Sequence, residues 1–164
     1  MWDLQIRNYE VDKAIEIMKE VAKWGRNKGS RIWLDEWLTA DKLITDEAQP
    51  ENFYVGSING EDACSFILQW QDNEWWRNSP RYEAAYLHKL CVRRKYAHMK
   101  MTGKVIESIK QECKKYGVNC IRLDTANDEE VVKRIYLNAG FKIVKVIGFD
   151  NGKAMVLYEL RFYI

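Results

Sequence analysis

Apolar residues recur at two different spacings along this chain, and each spacing predicts one kind of element. Separations of three and four residues, typical of a helix with one buried face, run through 11–28 and 99–116. Shorter stretches with the same spacing cover 32–38 and 40–45, and a last helix is predicted between a cap at Asn127 or Asp128 and Gly140. The glycines predicted to end two of these helices are Gly117 and Gly140. The apolar stripe of the last helix comprises Val132, Ile135, Tyr136 and Ala139.

Alternating or continuous apolar runs predict the strands of a sheet. They cover 4–7, 53–58, 63–70, 84–92, 119–124, 141–147 and 154–162. The second and third runs are joined at Asn59-Gly60, a step that strongly favours a hairpin. Three consecutive strands must be largely antiparallel, whereas a strand, helix, strand unit joins parallel neighbours. The chain therefore predicts an α/β fold, with a mixed, mostly antiparallel sheet of about six to seven strands and helices on both faces.

Length and composition limit the classes of protein that remain. A chain of 164 residues fits one domain, so a single domain over 1–164 is expected. The 26 basic and 24 acidic residues are too balanced to indicate nucleic acid as the main partner. No apolar run approaches the roughly 18 residues of a membrane span, and Met1–Lys13 lacks the apolar core of a signal peptide. These features predict a cytoplasmic protein with no membrane partner.

Four cysteines and seven tryptophans stand out in the composition. The cysteines, Cys64, Cys91, Cys113 and Cys120, occur singly. Because they form no Cys-x-x-Cys pair and have no companion histidines, they predict reduced core thiols and no metal site. The large aromatic residues crowd into 24–37 and 70–86. Such residues are ordinary in a core, but crowding is also typical of a binding surface. The long polar segment 71–83 is predicted to be a functional loop.

The stretch Ala84–Lys104 combines a strand, a basic turn and the start of an amphipathic helix. Unpaired backbone amides and the positive end of the helix dipole make such a helix start an anion site. Basic side chains that would add positive charge there are Arg93, Arg94, Lys95, Lys100 and Lys104. The pattern therefore predicts a place that holds a phosphate group, although a solvated basic turn would have the same sequence.

Two short sequences resemble the core of the GNAT superfamily of N-acetyltransferases. They are Tyr86-Leu87-His88-Lys89-Leu90-Cys91-Val92 before the basic turn, and Tyr136 followed by Ala139-Gly140-Phe141. The predicted order of elements is also that of the family, from Leu4 to Leu160. The resemblance implies an acetyltransferase that takes its acetyl group from acetyl-CoA.

The resemblance also implies which residues contact acetyl-CoA. In the family, backbone groups near the end of the central strand hold the pantetheine arm, and Leu90 and Val92 occupy those positions here. The family's next turn reads glutamine or arginine, two residues, glycine, one residue, then glycine or alanine. The corresponding residues here are Ala97, Lys100 and Thr102. The full set of implied cofactor contacts is Leu90, Cys91, Val92, Ala97, His98, Lys100, Met101, Thr102, Gly103, Lys104, Asn127 and Tyr136. Asn127 is also a candidate cap of the last helix, as is Asp128.

Acyl transfer to an amine requires one group that removes a proton from the nucleophile and another that protonates the departing thiolate. Tyr136 matches the family tyrosine near the CoA sulfur and is the predicted acid, although helical spacing alone would make it part of the apolar stripe. His88 is the predicted base because it titrates near neutrality, yet a histidine in a strand is also a common structural hydrogen-bonding group. If alternation holds along the strand, Tyr86, His88 and Leu90 share one face. Asp72 and Glu74 are alternative bases.

The amine acceptor is expected opposite the thioester, between the helical segment Trp24–Leu38 and the loop Gln71–Glu83, because indole faces attract a protonated amine. The predicted acceptor-binding residues are Trp33, Trp37, Asp72, Glu74, Trp75, Trp76 and Tyr86. The leading hypothesis is an N-acetyltransferase that acts by direct transfer on a primary amine of a small molecule or peptide. Two alternatives stay open: a GNAT-fold protein that binds CoA or another ligand without catalysis, and a tryptophan-rich interaction module. The sequence also leaves a homodimer open.

Overall fold

A computed structural model describes residues 3–29 and 33–163. The helices are α1 (Val11–Asn27), α2 (Ala40–Leu43), α3 (Met101–Lys114) and α4 (Glu130–Asn138). The strands are β1 (Leu4–Arg7), β2 (Phe53–Ile58), β3 (Glu61–Gln69), β4 (Ala85–Val92), β5 (Cys120–Ala126), β6 (Lys142–Gly148) and β7 (Ala154–Arg161). The predicted helix over 32–38 is wrong in extent: only Asp35–Trp37 form a 3-10 turn, and Ile32 lies outside the described residues.

The strands form a seven-stranded sheet in the order β1-β2-β3-β4-β5-β7-β6. Antiparallel registers join β1 to β2, β2 to β3, β5 to β7 and β6 to β7. β4 and β5 are parallel, with Ala85 facing Ile121 and Tyr86 facing Arg122. The predicted fold class, a mixed α/β fold with a mostly antiparallel sheet, is confirmed.

The chain divides into two compact units, and β4 contributes to both. The first unit contains the chain up to Gln69 together with His88–Ser108. The second contains Trp70–Leu87 together with the chain from Ile109 onward. The end of β4, the basic turn and the start of α3 therefore belong to the first unit, whereas the loop 71–83, β5, α4, β6 and β7 belong to the second. The single domain expected over 1–164 stays a prediction.

Helix α1 supplies the core of the first unit because its apolar residues fall on one face. Ala14, Met18 and Ala22 are spaced by four residues and have no exposed surface. They pack in one cluster with Phe53 of β2 and Cys91 of β4. The side chain of Cys91 therefore lies in the core of this unit.

The four cysteines are all buried and free, which confirms that they are reduced core thiols. Burial raises the pKa of the Cys64 and Cys113 thiols to about 12 and that of Cys120 to about 11. Burial also raises the pKa of Cys91. At neutral pH these side chains are therefore protonated.

The second unit buries the end of α3 and the middle of β5 and β7. Ile109, Ile121, Leu157 and Tyr158 are its largest fully buried side chains from these elements. The predicted apolar stripe of α4 is only partly correct, because Tyr136 is buried whereas Ile135 is exposed. Only a narrow face of α4, at Tyr136, is therefore buried in the second unit.

Candidate active site

Helix α3 begins at Met101, directly after the basic turn, and its first turn contains no acidic residue. The amides of its first four residues have no acceptor within the helix, and the helix dipole is positive at this end. The helix is 14 residues long, so its dipole is fully developed. The local backbone is thus the one from which the sequence predicts an anion site.

Lys100, the residue before α3, has a φ of 53°, in the left-handed region that favours glycine. This conformation costs a lysine about 1 kcal/mol. Lys100 stands where the turn of the family has a glycine, so the chain keeps a glycine-like backbone while it carries a cation. At Gly103, no atom beyond the two neighbouring residues and the backbone of the same helix lies within 4 Å of the position that a Cβ would occupy. The backbone of the first turn of α3 is therefore open to a closely approaching ligand at Gly103.

Two basic residues of the turn are already held by carboxylates. Arg93 donates to both carboxylate oxygens of Glu20 at 2.9 and 3.1 Å, and Lys95 donates to Glu61 at 2.8 Å. These hydrogen bonds raise the pKa of Arg93 and of Lys95. In this conformation both residues are held in ion pairs, and their expected contribution to a phosphate site stays a prediction.

Arg94 is occupied in a different way, because its guanidinium lies over the ring of Trp24 at 3.6 Å from the ring centroid. Such stacking is a cation–π contact. The guanidinium keeps its charge in this contact, and the expected contribution of Arg94 to phosphate binding stays a prediction. Two further cations stand at the helix start itself: Lys100, which is exposed, and Lys104, which is partly buried.

The end of β4 lies in the same unit as this turn. Leu90 and Val92 are partly buried, whereas Cys91 between them is buried. Lys89 has a φ of 56° within the strand, so alternation of faces cannot be counted through it. The prediction that His88 and Leu90 share a face therefore loses its basis.

The two predicted acceptor tryptophans of the first unit differ in exposure: Trp33 is partly buried and Trp37 is exposed. Trp33 packs against the core cluster and lies 4.9 Å, measured to its ring centroid, from Nζ of Lys89. Trp37 is 52% exposed at the end of the 3-10 turn. Of these two predicted acceptor contacts, Trp37 is thus the one that solvent reaches most.

The loop 71–83 of the second unit is organised by Asp72, which is buried. Its Oδ1 accepts hydrogen bonds from the amides of Glu74 at 3.0 Å and Trp75 at 3.3 Å, and its carbonyl accepts from the amide of Trp76 at 3.1 Å. A carboxylate that bonds the backbone two and three residues onward shapes a tight turn. Glu74, the neighbouring candidate, is exposed.

Arg122 of β5 is bonded to Glu83 at the end of this loop. The sequence did not lead us to predict a functional or structural role for Arg122. Its Nη1 donates to Glu83 and to the hydroxyl of Tyr86, both at 2.9 Å, and its Nε donates to Glu159 at 2.9 Å. The guanidinium also lies 4.7 Å from the ring centroid of Trp76. The side chain is only 9% exposed. The run Cys-Ile-Arg-Leu could have indicated this role, because an arginine inside an otherwise apolar strand is expected to be buried and a buried arginine needs hydrogen-bonding partners.

The same contacts show where two predicted acceptor residues lie. Tyr86 has no exposed surface and its hydroxyl accepts from Arg122. Trp76 packs against Ala84, Tyr86 and Cys120. In this conformation Tyr86 contacts protein on all sides, so its assignment to the acceptor surface is corrected: it supports the loop from the core.

Tyr136 on α4 lies within an aromatic group of the second unit. Its ring is 5.6 Å from that of Phe141 in an edge-on arrangement and 6.3 Å from that of Tyr158, centroid to centroid. The Tyr158 hydroxyl shares a hydrogen bond of 2.8 Å with Thr125, which fixes this ring. The position of the Tyr136 ring is thus set by packing on two sides, as precise placement of a functional hydroxyl requires.

Asn127 is exposed just after β5, and its backbone N–H donates to the carbonyl of Ala154 at 2.9 Å. The N-cap residue of α4 is Glu129, and it makes no side-chain capping hydrogen bond. The prediction that Asn127 or Asp128 caps this helix is therefore wrong. The expected contact of Asn127 with CoA stays a prediction.

Comparisons with known proteins agree with this architecture. An acetyltransferase of the GNAT family from Listeria monocytogenes has a TM-score of 0.70 and 20% identity, with 97% of this chain and 95% of that chain covered. The PaiA N-acetyltransferase from Thermoplasma acidophilum, solved in complex with coenzyme A, has a TM-score of 0.66 and 19% identity, with 98% and 99% covered. These structures share the fold of this chain, which is that of the GNAT acetyltransferases.

Sequence comparison identifies the family directly. The model of the acetyltransferase (GNAT) family matches residues 14–141, which is more than half of the chain. The chain therefore belongs to the GNAT family of acetyltransferases, as its sequence motifs predict. It is also 24% identical over 133 residues to the uncharacterized N-acetyltransferase YesJ of Bacillus subtilis, with 78% of this chain and 74% of that protein covered.

Within the described residues, no helix is both long enough and apolar enough to cross a bilayer.

Proposed function

We propose that this protein transfers an acetyl group from acetyl-CoA directly to a primary amine of a small molecule or peptide. The observation that carries the proposal is the start of α3, where a left-handed Lys100 precedes the first helical turn and the Cβ position of Gly103 is open. That arrangement suits a pyrophosphate group. Membership of the GNAT family and the coenzyme A bound to PaiA support the same cofactor.

Acetyl-CoA would lie along the first unit from β4 to α3. Its pyrophosphate would accept hydrogen bonds from the amides at Thr102 and Gly103, with Lys100 and Lys104 adding positive charge. Its pantetheine arm would pair with backbone groups at Leu90 and Val92. The side chain of Cys91 would take no part, because it points into the core cluster.

The chemical step requires two proton transfers. The amine nitrogen forms a bond to the thioester carbonyl carbon while the carbon–sulfur bond breaks, and the sulfur leaves as a thiolate. Tyr136 would donate its hydroxyl proton to that sulfur. His88 is the proposed base that takes the proton from the amine. Asp72 is the weaker alternative, because two backbone amides already occupy its Oδ1, and Glu74 is the exposed one.

For the acceptor, the most accessible of the predicted tryptophans is Trp37, and in the second unit Trp75 lies 6.1 Å from Phe149, centroid to centroid. Indole rings attract a protonated amine by a cation–π contact. Trp37, which is exposed, is therefore the first proposed acceptor contact, and Trp33, Trp75 and Trp76, which are partly buried, are the further ones.

Acetyl-CoA is expected to raise the melting temperature of the protein, because a ligand that binds only the native state stabilises it. Affinity should be modest and should fall with added salt, since lysine side chains replace part of a glycine-rich phosphate turn. A thermal-shift series with acetyl-CoA, CoA and desulfo-CoA, followed by calorimetry at two salt concentrations, measures both effects. The absence of binding at millimolar acetyl-CoA would overturn the proposal, and salt-independent tight binding would contradict the role of the lysines.

The alternative of a GNAT-fold protein that binds CoA without catalysis rests on Ala97, Lys100 and Thr102, which depart from the family turn. Incubation of the protein with acetyl-CoA and a panel of primary amines separates the two. Binding with no acetylated amine in any reaction would favour the alternative.

Replacing Gly103 by alanine is expected to stabilise the free protein and to weaken acetyl-CoA binding. Alanine is preferred to glycine inside a helix by about 1 kcal/mol, and a Cβ at this position would meet no atom beyond the neighbouring residues and the backbone of the same helix. The same methyl group would obstruct a phosphate that approaches the backbone. Urea unfolding measures the gain, and calorimetry with acetyl-CoA measures the loss. Gly148→Ala is a control, because its Cβ also enters open space but lies far from this turn in the chain; unchanged affinity in Gly103→Ala would move the pyrophosphate away from Gly103.

A further inference from the structure

The second unit exposes an unusual number of large apolar side chains in one short stretch of the chain. They are Val131, Ile135, Leu137, Ile143, Val144, Val146 and Phe149. Four of them belong to β6 or to the residue that follows it. Scattered apolar residues are normal on a surface, but a contiguous group usually marks an interaction site.

Strand β6 is also the outermost strand at its end of the sheet, in the order β5-β7-β6. An outermost strand presents unpaired N–H and C=O groups along its free side, which can pair with another strand. The strand at the other end, β1, has four residues, whereas β6 has seven. The described sheet therefore offers its longest free edge, and its most apolar one, at β6.

We propose that two copies of this chain form a two-fold dimer in which β6 pairs antiparallel with β6 of the second copy, with Val146 on the axis. A two-fold axis uses the same surface of both copies, and two identical strands related by it run antiparallel. The interface would make one continuous sheet from the two copies. The partner is thus a second copy of the chain, and the contact is closed, so it cannot propagate.

Symmetry restricts where the axis can pass. In an antiparallel pair, hydrogen-bonded and non-hydrogen-bonded residue pairs alternate. A two-fold axis between neighbouring pairs would exchange two pairs of different type, which is impossible. The axis must therefore lie midway between one residue and the same residue of the second copy, directly opposite. The register of β6 on β7 shifts between Ile143 and Lys145, which makes Val144 an extra residue, whereas Lys145–Gly148 pair regularly. The axis is therefore expected in the regular segment.

Charge then selects one position within that segment. An axis at Lys145 would set this lysine against its own copy. Axes at Val146 and at Ile147 both bring two apolar side chains together, but an axis at Ile147 sets the uncharged Val144 opposite Asp150. The Val146 side chain is 57% exposed. Opposite-charge pairs across strands are stabilising and like charges are destabilising.

The axis at Val146 also brings the start of β6 in one copy next to the end of β6 in the second copy. Lys142 comes opposite Asp150 of the second copy, and Ile143 comes opposite Phe149. The extra residue at Val144 displaces Lys142 by one position at most, which the length of a lysine side chain spans. The two symmetric ion pairs give this register a charge complementarity that the other axes lack.

The dimer can be detected by sedimentation velocity from about 1 to about 200 µM, the range in which small interfaces associate. We expect a concentration-dependent dimer mass in the wild-type chain. Val146→Lys places two ammonium groups at the axis and is expected to leave only monomer, while its exposed position spares the fold. A monomer at every concentration in the wild-type chain would overturn the proposal, as would an unchanged dimer in Val146→Lys.

Two further variants test the register. Lys142→Glu sets a carboxylate near Asp150 of the second copy and should raise the dissociation constant on the order of tenfold, and adding Asp150→Lys should restore it. Val146→Cys should form a disulfide across the axis under mild oxidation, since facing Cα atoms lie within bonding range. The native cysteines are buried and give no background, and Val131→Cys, 65% exposed on α4, is the matched control. A dimer that neither cross-links through Val146→Cys nor responds to the charge exchange would refute the β6 interface.

Discussion

Tyr136→Phe is expected to lower turnover by about ten- to a thousandfold, because a positioned proton donor contributes on that order to the rate. Phenylalanine keeps the ring and its packing against Phe141 and Tyr158, so acetyl-CoA affinity should hardly change. The measurement is steady-state turnover with one active amine across a range of pH, together with acetyl-CoA titration by calorimetry.

Tyr158→Phe is the matched control for this substitution. It also removes one tyrosine hydroxyl from the same aromatic group, but that hydroxyl is bonded to Thr125 inside the second unit. We expect it to cost about 1 kcal/mol of stability, the value of one buried hydrogen bond, and to leave turnover unchanged. Equal turnover in Tyr136→Phe and the wild type would return Tyr136 to a purely structural role on α4.

Arg122→Met should lower the free energy of unfolding by about 3 kcal/mol, at the lower end of the range for breaking a buried ion pair. Methionine fills much of the same volume, so the loss comes from the two carboxylates, which keep their charge: Glu83 loses its ion pair and Glu159 keeps only its pair with Arg161. The lower end applies because Glu83 is 42% exposed and water stabilises its carboxylate. Urea unfolding at neutral pH measures the effect.

The destabilisation caused by Arg122→Met should shrink in acid. The hydrogen bond from Arg122 lowers the pKa of Glu83, and it also lowers the pKa of Glu159 although burial alone would raise that pKa. The pair therefore stabilises the native protein above the ordinary glutamate pKa of about 4.3 and loses this contribution as pH falls through the lower native pKa. Arg161→Met is a control, because its side chain is 63% exposed and shares Glu159. A pH-independent difference between Arg122→Met and the wild type would show that lost packing, not lost charge, causes the effect.

Much of the fold could be predicted because its elements depend on residues that are close in sequence. The α1 helix follows from apolar residues at three- and four-residue spacing, and the hairpin from Asn59-Gly60, whose φ values of 51° and 80° suit a two-residue turn. Where the periodicity was weak, the prediction was poorer. The segment before Leu38 forms a 3-10 turn only, and Ile135 lies on the exposed side of α4.

The candidate site could be predicted only in outline, because its side-chain contacts join distant parts of the chain. Arg93 is 73 residues from Glu20, and Arg122 is 39 residues from Glu83. No local pattern shows that Arg93 is held in an ion pair with Glu20, because the two residues are far apart in the chain. The left-handed Lys100 was equally hidden, since the sequence shows only that a glycine is missing.

The burial of the four cysteines affects how this protein behaves toward its own proposed product. Release of CoA delivers a free thiol, and accessible protein thiolates would exchange with its disulfide form and become blocked. Here the thiols are protonated and out of contact with solvent, so the protein should neither form mixed disulfides with CoA nor consume a thiol-reactive dye while it is folded. A colour reaction that titrates released CoA would therefore report turnover continuously, with unfolding as the only source of a background signal.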